Sequence, residues 1–276
     1  MKFAGIELNE PKIMGVINVS PESFYRGSVA RDEDELLDVA LKMVDAGASF
    51  IDVGARSTAP YLQNQISEDE EKRRAFWAVS ILKSSVKVPI SIDTTRATVA
   101  EAAIKAGAMI VNDVTGFKND PRMPKVVKDY DCSAILCAHG NILDNVDPLT
   151  QVSSCIEESI KIAKKFEVDE EKIAIDPAIG FFRPSWMPWY EWDSKIIANL
   201  LFLKQKFSYP LLIGVSRKSF IGAILKKEDP AERLYGSLAA TSIAVFNGAD
   251  IIRTHDIKET LEVVKVSSYI KAHRRI

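Results

Sequence analysis

The chain has 276 residues, 47% of them hydrophobic, with 36 basic and 38 acidic side chains and a net charge of −2. That is enough apolar material for a large core, and an α/β barrel occupies about 250 residues as one unit. The charges are well mixed with no basic stripe, which excludes nucleic acid as an expected partner and leaves only local anion clusters.

Short apolar runs alternate with amphipathic segments along the chain. The runs are "KIMGVIN" (12–18), "SFIDVG" (49–54), "VPISID" (88–93), "AMIVND" (108–113), "SAILCAH" (133–139), "IAIDP" (173–177), "LLIGVS" (211–216) and "DIIRTH" (250–255). Their near-continuous hydrophobicity suits parallel strands buried on both faces. Helical spacing marks 34–46, where Leu37, Ala40, Leu41 and Val44 recur before Gly47, and 97–106, which stops at Gly107. Similar patterns fill 69–84, 122–130, 151–167, 193–206, 231–247 and 257–271. Eight strands alternating with eight helices predict a single-domain (β/α)8 TIM barrel over 1–276. The competing open, doubly wound sheet lacks a GxGxxG after its first strand.

Cys132, Cys137 and Cys155 form no CxxC pair and read as buried small apolar residues. "MKFAGIELNE" shows no secretory signal, and no apolar run approaches the ~18 residues of a membrane span. A cytoplasmic protein without a membrane partner is expected.

In a barrel of this kind the site lies at the C-terminal mouth, built from strand ends. Those ends supply Asn18 and Ser20; Asp52, Arg56, Ser57 and Thr58; Asp93 and Thr94; Asn112 and Asp113; His139 and Asn141; Asp176; Ser216, Arg217 and Lys218; Arg253, His255 and Asp256. Any one Ser, Asp or Asn serves equally as a helix cap. Lys218, Arg253 and His255 have no capping role, and a buried cation without a partner is costly. Arg253 and His255 are two apart in a strand and so share a face, which suits a phosphate or pyrophosphate. Thr254 faces the other way, and Asp256 is expected to cap the next helix. Asp93, Asn112 and Asp176 suit either a flat heterocycle with N–H donors or a divalent metal.

The motifs, in order, resemble those of the dihydropteroate synthase family of pterin-binding barrels. They are "IMGVINVSPESF", "IDVGARST", "ISIDTTRATVAEAAIKAGAMIVNDVTG", "DPAIGFF", "IGVSRKSFIG" and "LAATSIAVFNGADIIRTHDIKET". "SRKSFIG" and "RTHD" are the most specific. The resemblance implies condensation of 6-hydroxymethyl-7,8-dihydropterin diphosphate with an arylamine, p-aminobenzoate, with release of pyrophosphate. It implies that Asp93, Asn112, Asp176 and Lys218 hold the pterin. Asn18 would take part in Mg²⁺ and diphosphate binding, while Arg253 and His255 hold the leaving diphosphate and act with Lys218 in catalysis. Ser57 and Thr58 would lie near the amine and the anion. His139 resembles the family's histidine at that place and reads equally as structural. A homodimer through the last helices is also implied.

The chain departs from the family pattern in places. "GARSTAPYL" stands for GGESTRPGA, so Ala59 and Tyr61 replace an arginine and a glycine, with Arg56 upstream as a partial substitute. Arg26 takes an acidic place in the first loop, and Phe182 and Arg183 replace glycine and lysine in the sixth motif. "RPSWMPWYEWD" (183–193) reads as a packed loop or dimer contact, or as an aromatic wall for the amine. The extra arginines would suit 4-(β-D-ribofuranosyl)aminobenzene 5′-phosphate, the amine of methanopterin-type relatives. A methyltetrahydrofolate–corrinoid methyltransferase would need no diphosphate site, against Lys218, Arg253 and His255. A pterin-binding protein without catalysis is the third alternative.

Overall fold

The computed structural model describes residues 1–20, 30, 32–56 and 66–274. A two-stranded hairpin, β1 (Lys2–Phe3) and β2 (Ile6–Glu7), precedes an eight-stranded parallel sheet. The sheet strands are β3 (Lys12–Asn18), β4 (Phe50–Gly54), β5 (Ile90–Asp93), β6 (Ile110–Asp113), β7 (Ser133–Cys137), β8 (Ile173–Asp176), β9 (Leu212–Gly214) and β10 (Ile251–Thr254). They pair in the order β8-β7-β6-β5-β4-β3-β10-β9. A bridge between Ile175 and Leu211, with Ile175 N–H donating to Pro210 O at 2.9 Å, joins the two ends. The sheet closes as a TIM barrel, and each expected apolar run contains one strand.

Strand alternation decides what lies inside. Met14, Phe50, Ile110, Ile135, Ala174, Leu212 and Ile251 form one buried apolar cluster with Phe3 and Leu8. Phe3 packs on Phe50 with ring centroids 6.0 Å apart. The hairpin, which the sequence did not signal, therefore plugs the barrel at the strands' N-terminal ends. Two residues further along the same strands, on the same face, stand Val16, Asp52, Asn112, Cys137, Asp176, Gly214 and Arg253, joined by Asp93, two beyond the buried Ser91 of β5. The apolar floor gives way to a polar layer within one strand period. The other face of each strand packs under the helices, as with Ile51, Ile92, Val111, Leu136, Ile175 and Ile252.

Ten α-helices surround the sheet among the described residues, rather than eight. They are α1 (Glu33–Asp45), α2 (Glu68–Ser85), α3 (Ala97–Ala106), α4 (Met123–Asp129), α5 (Pro148–Lys165), α6 (Trp189–Ala198), α7 (Leu200–Lys206), α8 (Ser219–Leu225), α9 (Leu234–Phe246) and α10 (Ile257–Ala272). Gly107 ends α3 as expected, at φ +120°, where a side chain is strained. The expected helix over 193–206 breaks at Asn199, where Asn247 Nδ2 donates to Ile197 O and Ala198 O, both at 3.1 Å, and so satisfies carbonyls the break frees. α8 was missed because "SFIGAIL" has no polar face and holds a glycine. A Cβ at Gly222 would sit 2.5 Å from Lys227 O, so the close turn needs glycine there.

Phe3 is 1% exposed. Phe3→Ala is expected to cost about 3–5 kcal/mol in urea unfolding, while substrate affinity at the far end of the barrel stays within twofold. A loss under ~1 kcal/mol would show that the hairpin is not part of the core.

Candidate active site

The polar layer is organised around one cation. Arg253 Nε donates to Asp52 Oδ2 at 2.7 Å, and Arg253 Nη2 donates to Asp93 Oδ2 at 3.1 Å. Asn112 Nδ2 donates to the same Asp52 oxygen at 3.0 Å. Asp52 is wholly buried, and Asp93 and Asn112 nearly so. Two carboxylates and a guanidinium thus share a low-dielectric site in which each offsets the desolvation of the others. Burial pushes the Asp93 carboxyl above its usual range, and the Arg253 charge pulls it back. Arg253 itself is held above its ordinary value by Asp52 and Asp93 against burial. Asp52 Oδ1 and Asp93 Oδ1 are buried without a protein partner. Such acceptors invite a donor from a ligand.

On one flank, Asp176 Oδ1 accepts from Ala178 N–H at 2.7 Å, and burial raises its carboxyl against the field of Lys218. Lys218 Nζ donates to Ile179 O and lies 5.0 Å from the centre of the Phe181 ring. Burial lowers the Lys218 ammonium from its ordinary value, while Asp176 favours its charge.

On another flank, His255 Nδ1 meets Ser216 Oγ at 2.9 Å, and the same oxygen accepts from His255 N–H at 3.3 Å. With the hydroxyl donating to Nδ1, this arrangement suits the tautomer that carries its ring proton on Nε2. Burial, then the cations Arg253, Arg217 and Lys218, depress His255 to about 3, so the ring is neutral at pH 7. Arg217, at φ +56°, clamps Asp256 with Nε–Oδ2 at 2.9 Å and Nη2–Oδ1 at 2.7 Å. Asp256 therefore does not cap α10 through its side chain, contrary to the sequence reading. Thr254 faces outward as expected, with its Oγ1 accepting from Asp256 N–H at 3.1 Å and lying 3.0 Å from Thr260 Oγ1. The Arg217 carboxylate clamp fixes the β9 loop to the β10 loop, which sets Ser216 against His255.

Asn18 ends β3 with its carboxamide against Gly54, where a Cβ would sit 2.8 Å from Asn18 Oδ1. Arg56 is partly buried and bonded, Nε to Glu71 Oε2 at 3.0 Å and Nη2 to Thr95 Oγ1 at 3.1 Å. It lines a cleft of about 310 Å³ with Thr95, Thr115, His139, Ile142 and Phe181. This cleft adjoins the polar layer. His139 is largely exposed, and the partial burial of its ring, with the nearby Lys118 charge, lowers its pKa. A larger cleft of about 1110 Å³ lies at the other end, between the N-terminal hairpin and residues such as Lys161 and Tyr209, away from the polar layer. Ser57, Thr58, Ala59 and Tyr61, like Arg26, lie outside the described residues.

The structure brings together Asp93, Asn112, Asp176, Lys218, Arg253 and His255. Sequence reasoning noted Asp52 at its strand end but gave it no role, although the alternation that turns Arg253 inward turns Asp52 inward too. Glu71 and Asp193 escaped notice entirely. Glu71 is wholly buried and takes Arg56, Arg96 Nη1 at 2.9 Å and Thr94 Oγ1 at 2.7 Å. An acidic residue on an amphipathic helix gives no signal that it faces inward. Asp113 points outward and binds the turn above it through Thr115 N–H at 2.8 Å and Phe117 N–H at 2.9 Å.

The tryptophan-rich segment is packing. Trp192 stacks on Phe182 at 5.2 Å, Trp186 meets Trp192 edge-on at 6.1 Å, and Arg183 lies over Trp189 at 4.3 Å.

Arg253→Ala would strand two buried carboxylates, so the expected cost is about 3–5 kcal/mol at pH 8. Burial already raises the Asp93 carboxyl, and without the Arg253 charge it rises further above its unfolded value, so folding takes up a proton there. Stability then rises as pH falls through that range, so the loss should shrink at pH 5.5. Urea unfolding at both pH values checks this, and an equal loss at both would contradict it.

The model of the pterin binding enzyme family matches this chain from Met14 to His255. Dihydropteroate synthase of Bacillus subtilis is 37% identical over 254 residues, covering 92% of this chain and 86% of that protein. The structure of a dihydropteroate synthase from Coxiella burnetii in complex with pteroic acid superposes with TM-score 0.87 at 33% identity, covering 98% and 96% of the two chains. That of the Xanthomonas albilineans dihydropteroate synthase with 4-aminobenzoic acid gives 0.87 at 29% identity, covering 98% and 96%.

Proposed function

The chain belongs to the pterin binding enzyme family, and from that premise we infer that it is a transferase of the dihydropteroate synthase type. It condenses 6-hydroxymethyl-7,8-dihydropterin diphosphate with p-aminobenzoate in folate biosynthesis and releases pyrophosphate. The observation that carries this reading is the inward layer of Asp52, Asp93, Asn112, Asp176 and Arg253 at the barrel mouth, beside Lys218 and His255.

Asp93, Asn112 and Asp176 would receive the pterin's N–H edges and Lys218 its carbonyl side, with the buried Asp93 Oδ1 as an acceptor that has no protein partner. A neutral His255 offers Nε2–H, and Arg253 its charge, to the diphosphate. As the C–O bond breaks, negative charge moves onto pyrophosphate and positive charge onto the pterin methylene. Fixed donors aimed at the first charge stabilise it as it forms. The amine lone pair then makes the C–N bond, and its proton passes to water. A neutral arylamine needs no strong base, so Cys137 is not required as a nucleophile. Its thiol is pushed well above its usual value by burial.

Among the described residues no three His, Cys, Asp or Glu side chains gather as a metal cage. Asn18 offers one hard oxygen at the mouth, which fits a Mg²⁺ ion held mainly by phosphate oxygens and water. When bound, that ion supplies charge neutralisation to the diphosphate.

The apolar side chains of α9 and α10 fit a homodimer: Ile243, Val266, Tyr269 and Ile270 are each at least half exposed, around the Ser242–Ser267 contact. No helix among the described residues is long and apolar enough to cross a membrane. The three free, buried thiols fit the reducing cytoplasm.

Pyrophosphate release should require both substrates, with dihydropteroate identified by mass. Lys218→Ala should lower kcat/KM for the dihydropterin diphosphate by about 10²-fold or more, the scale of losing a charged contact and its orienting role. Binding of the pterin without pyrophosphate release would overturn catalysis, and better turnover of the ribosyl-phosphate amine would overturn the choice of amine.

A further inference from the structure

Lys218 reaches its acceptor through a turn that has two possible forms. Phe181 N–H donates to Ala178 O at 3.1 Å, closing a β-turn over Ala178, Ile179, Gly180 and Phe181. Gly180 sits at φ +85°, as the third position of a type II turn requires. Type I and type II turns differ by a flip of the central peptide, here the one joining Ile179 to Gly180. In a planar trans peptide the C=O and N–H point in opposite directions. In this structure the Ile179 carbonyl faces Lys218 Nζ. From the opposite edge of the same peptide, Gly180 N–H donates to Asp193 Oδ1 at 2.8 Å. One peptide is therefore held between Asp193 and Lys218.

The packing agrees. Asp193 is wholly buried in the first turns of α6. Its neighbour Trp192 stacks on Phe182 and holds the far end of the turn. A Cβ on Gly180 would come within 3.0 Å of Lys218 Cδ, so the lysine stem runs directly past the turn. Burying a carboxylate is costly, and burial pushes Asp193 up to about 6. A cost retained at that place, with one oxygen spent on a single backbone N–H, points to a positional task.

We propose that Asp193 is a positioning residue for pterin binding: it locks the Ile179–Gly180 peptide in the orientation that gives Lys218 its acceptor. This rests on the reading of the polar layer as a pterin site.

Steady-state kinetics on three full-length variants test it. Asp193→Ala removes the acceptor, and KM for the dihydropterin diphosphate is expected to rise about tenfold, the scale of one lost charge-assisted contact. KM for p-aminobenzoate should move less than twofold. Asp193→Asn keeps an oxygen for Gly180 N–H and should restore KM to within about twofold of the parent. Gly180→Ala disfavours the positive φ and also brings a Cβ within 3.0 Å of Lys218 Cδ, so the pterin-selective rise should be at least as large, which keeps the test open should Asp193→Ala not fold. An unchanged pterin KM in a folded Asp193→Ala or Gly180→Ala protein overturns the proposal, as does an Asp193→Asn variant as impaired as Asp193→Ala. If the unsubstituted chain fails to bind the dihydropterin diphosphate, the functional reading fails first, and the two failures are distinct.

Discussion

Arg253 cannot be buried alone at the mouth of a closed barrel, and the rest of the site follows from that constraint. Its guanidinium is satisfied by Asp52 on β4 and Asp93 on β5, which bond to it from across the barrel interior. The three strands that carry these groups are tied by the register of the sheet, β10 beside β3, β3 beside β4 and β4 beside β5. The pair of carboxylates therefore follows the curvature that turns these neighbouring strands toward one another. Each carboxylate also keeps a second oxygen buried without a protein partner. The folded chain thereby holds an unsatisfied acceptor surface ready for a donor-bearing heterocycle, at a desolvation cost met by the apolar floor beneath it.

Buried charged side chains and their hydrogen bonds help fix the loops above this layer. Arg217 fastens the β9 loop to Asp256 and so holds Ser216 against His255. Glu71 gathers Arg56 and Arg96 behind the strand ends of β4 and β5. Asp193 holds the turn after β8. Each pairing places a charge inside the protein to orient a neighbour, which is costly for stability and useful for precision. Burial, and then the charges of Arg253, Arg217 and Lys218, keep His255 neutral.

The barrel was legible because its strands are apolar runs with polar ends, and alternation then told which of those ends face inward. Arg253 and His255 could be read as one surface from their spacing alone. Asp52 carried the same signal but was not used. The split at Asn199 and the short helix after Lys218 were not legible, because they depend on Asn247 taking the freed carbonyls and on Gly222 admitting a close turn. The partners of buried charges were hidden for a similar reason. Nothing in "EDEEKRR" marks Glu71 as the one glutamate that turns inward, and Asp193 reads as an ordinary helix residue. The tryptophan-rich stretch could be read as a packed loop or as a substrate wall, and its rings stack on the Phe182 turn and on one another.

A crystal structure of the chain with a bound pterin would test the account most directly. The pterin's N–H groups should lie about 2.7–3.1 Å from carboxylate oxygens of Asp93 and Asp176, with Lys218 on the ring's carbonyl side and the apolar floor unchanged. A pterin seated instead in the larger cleft between the N-terminal hairpin and Tyr209, or one leaving both Asp52 Oδ1 and Asp93 Oδ1 without a donor, would contradict it.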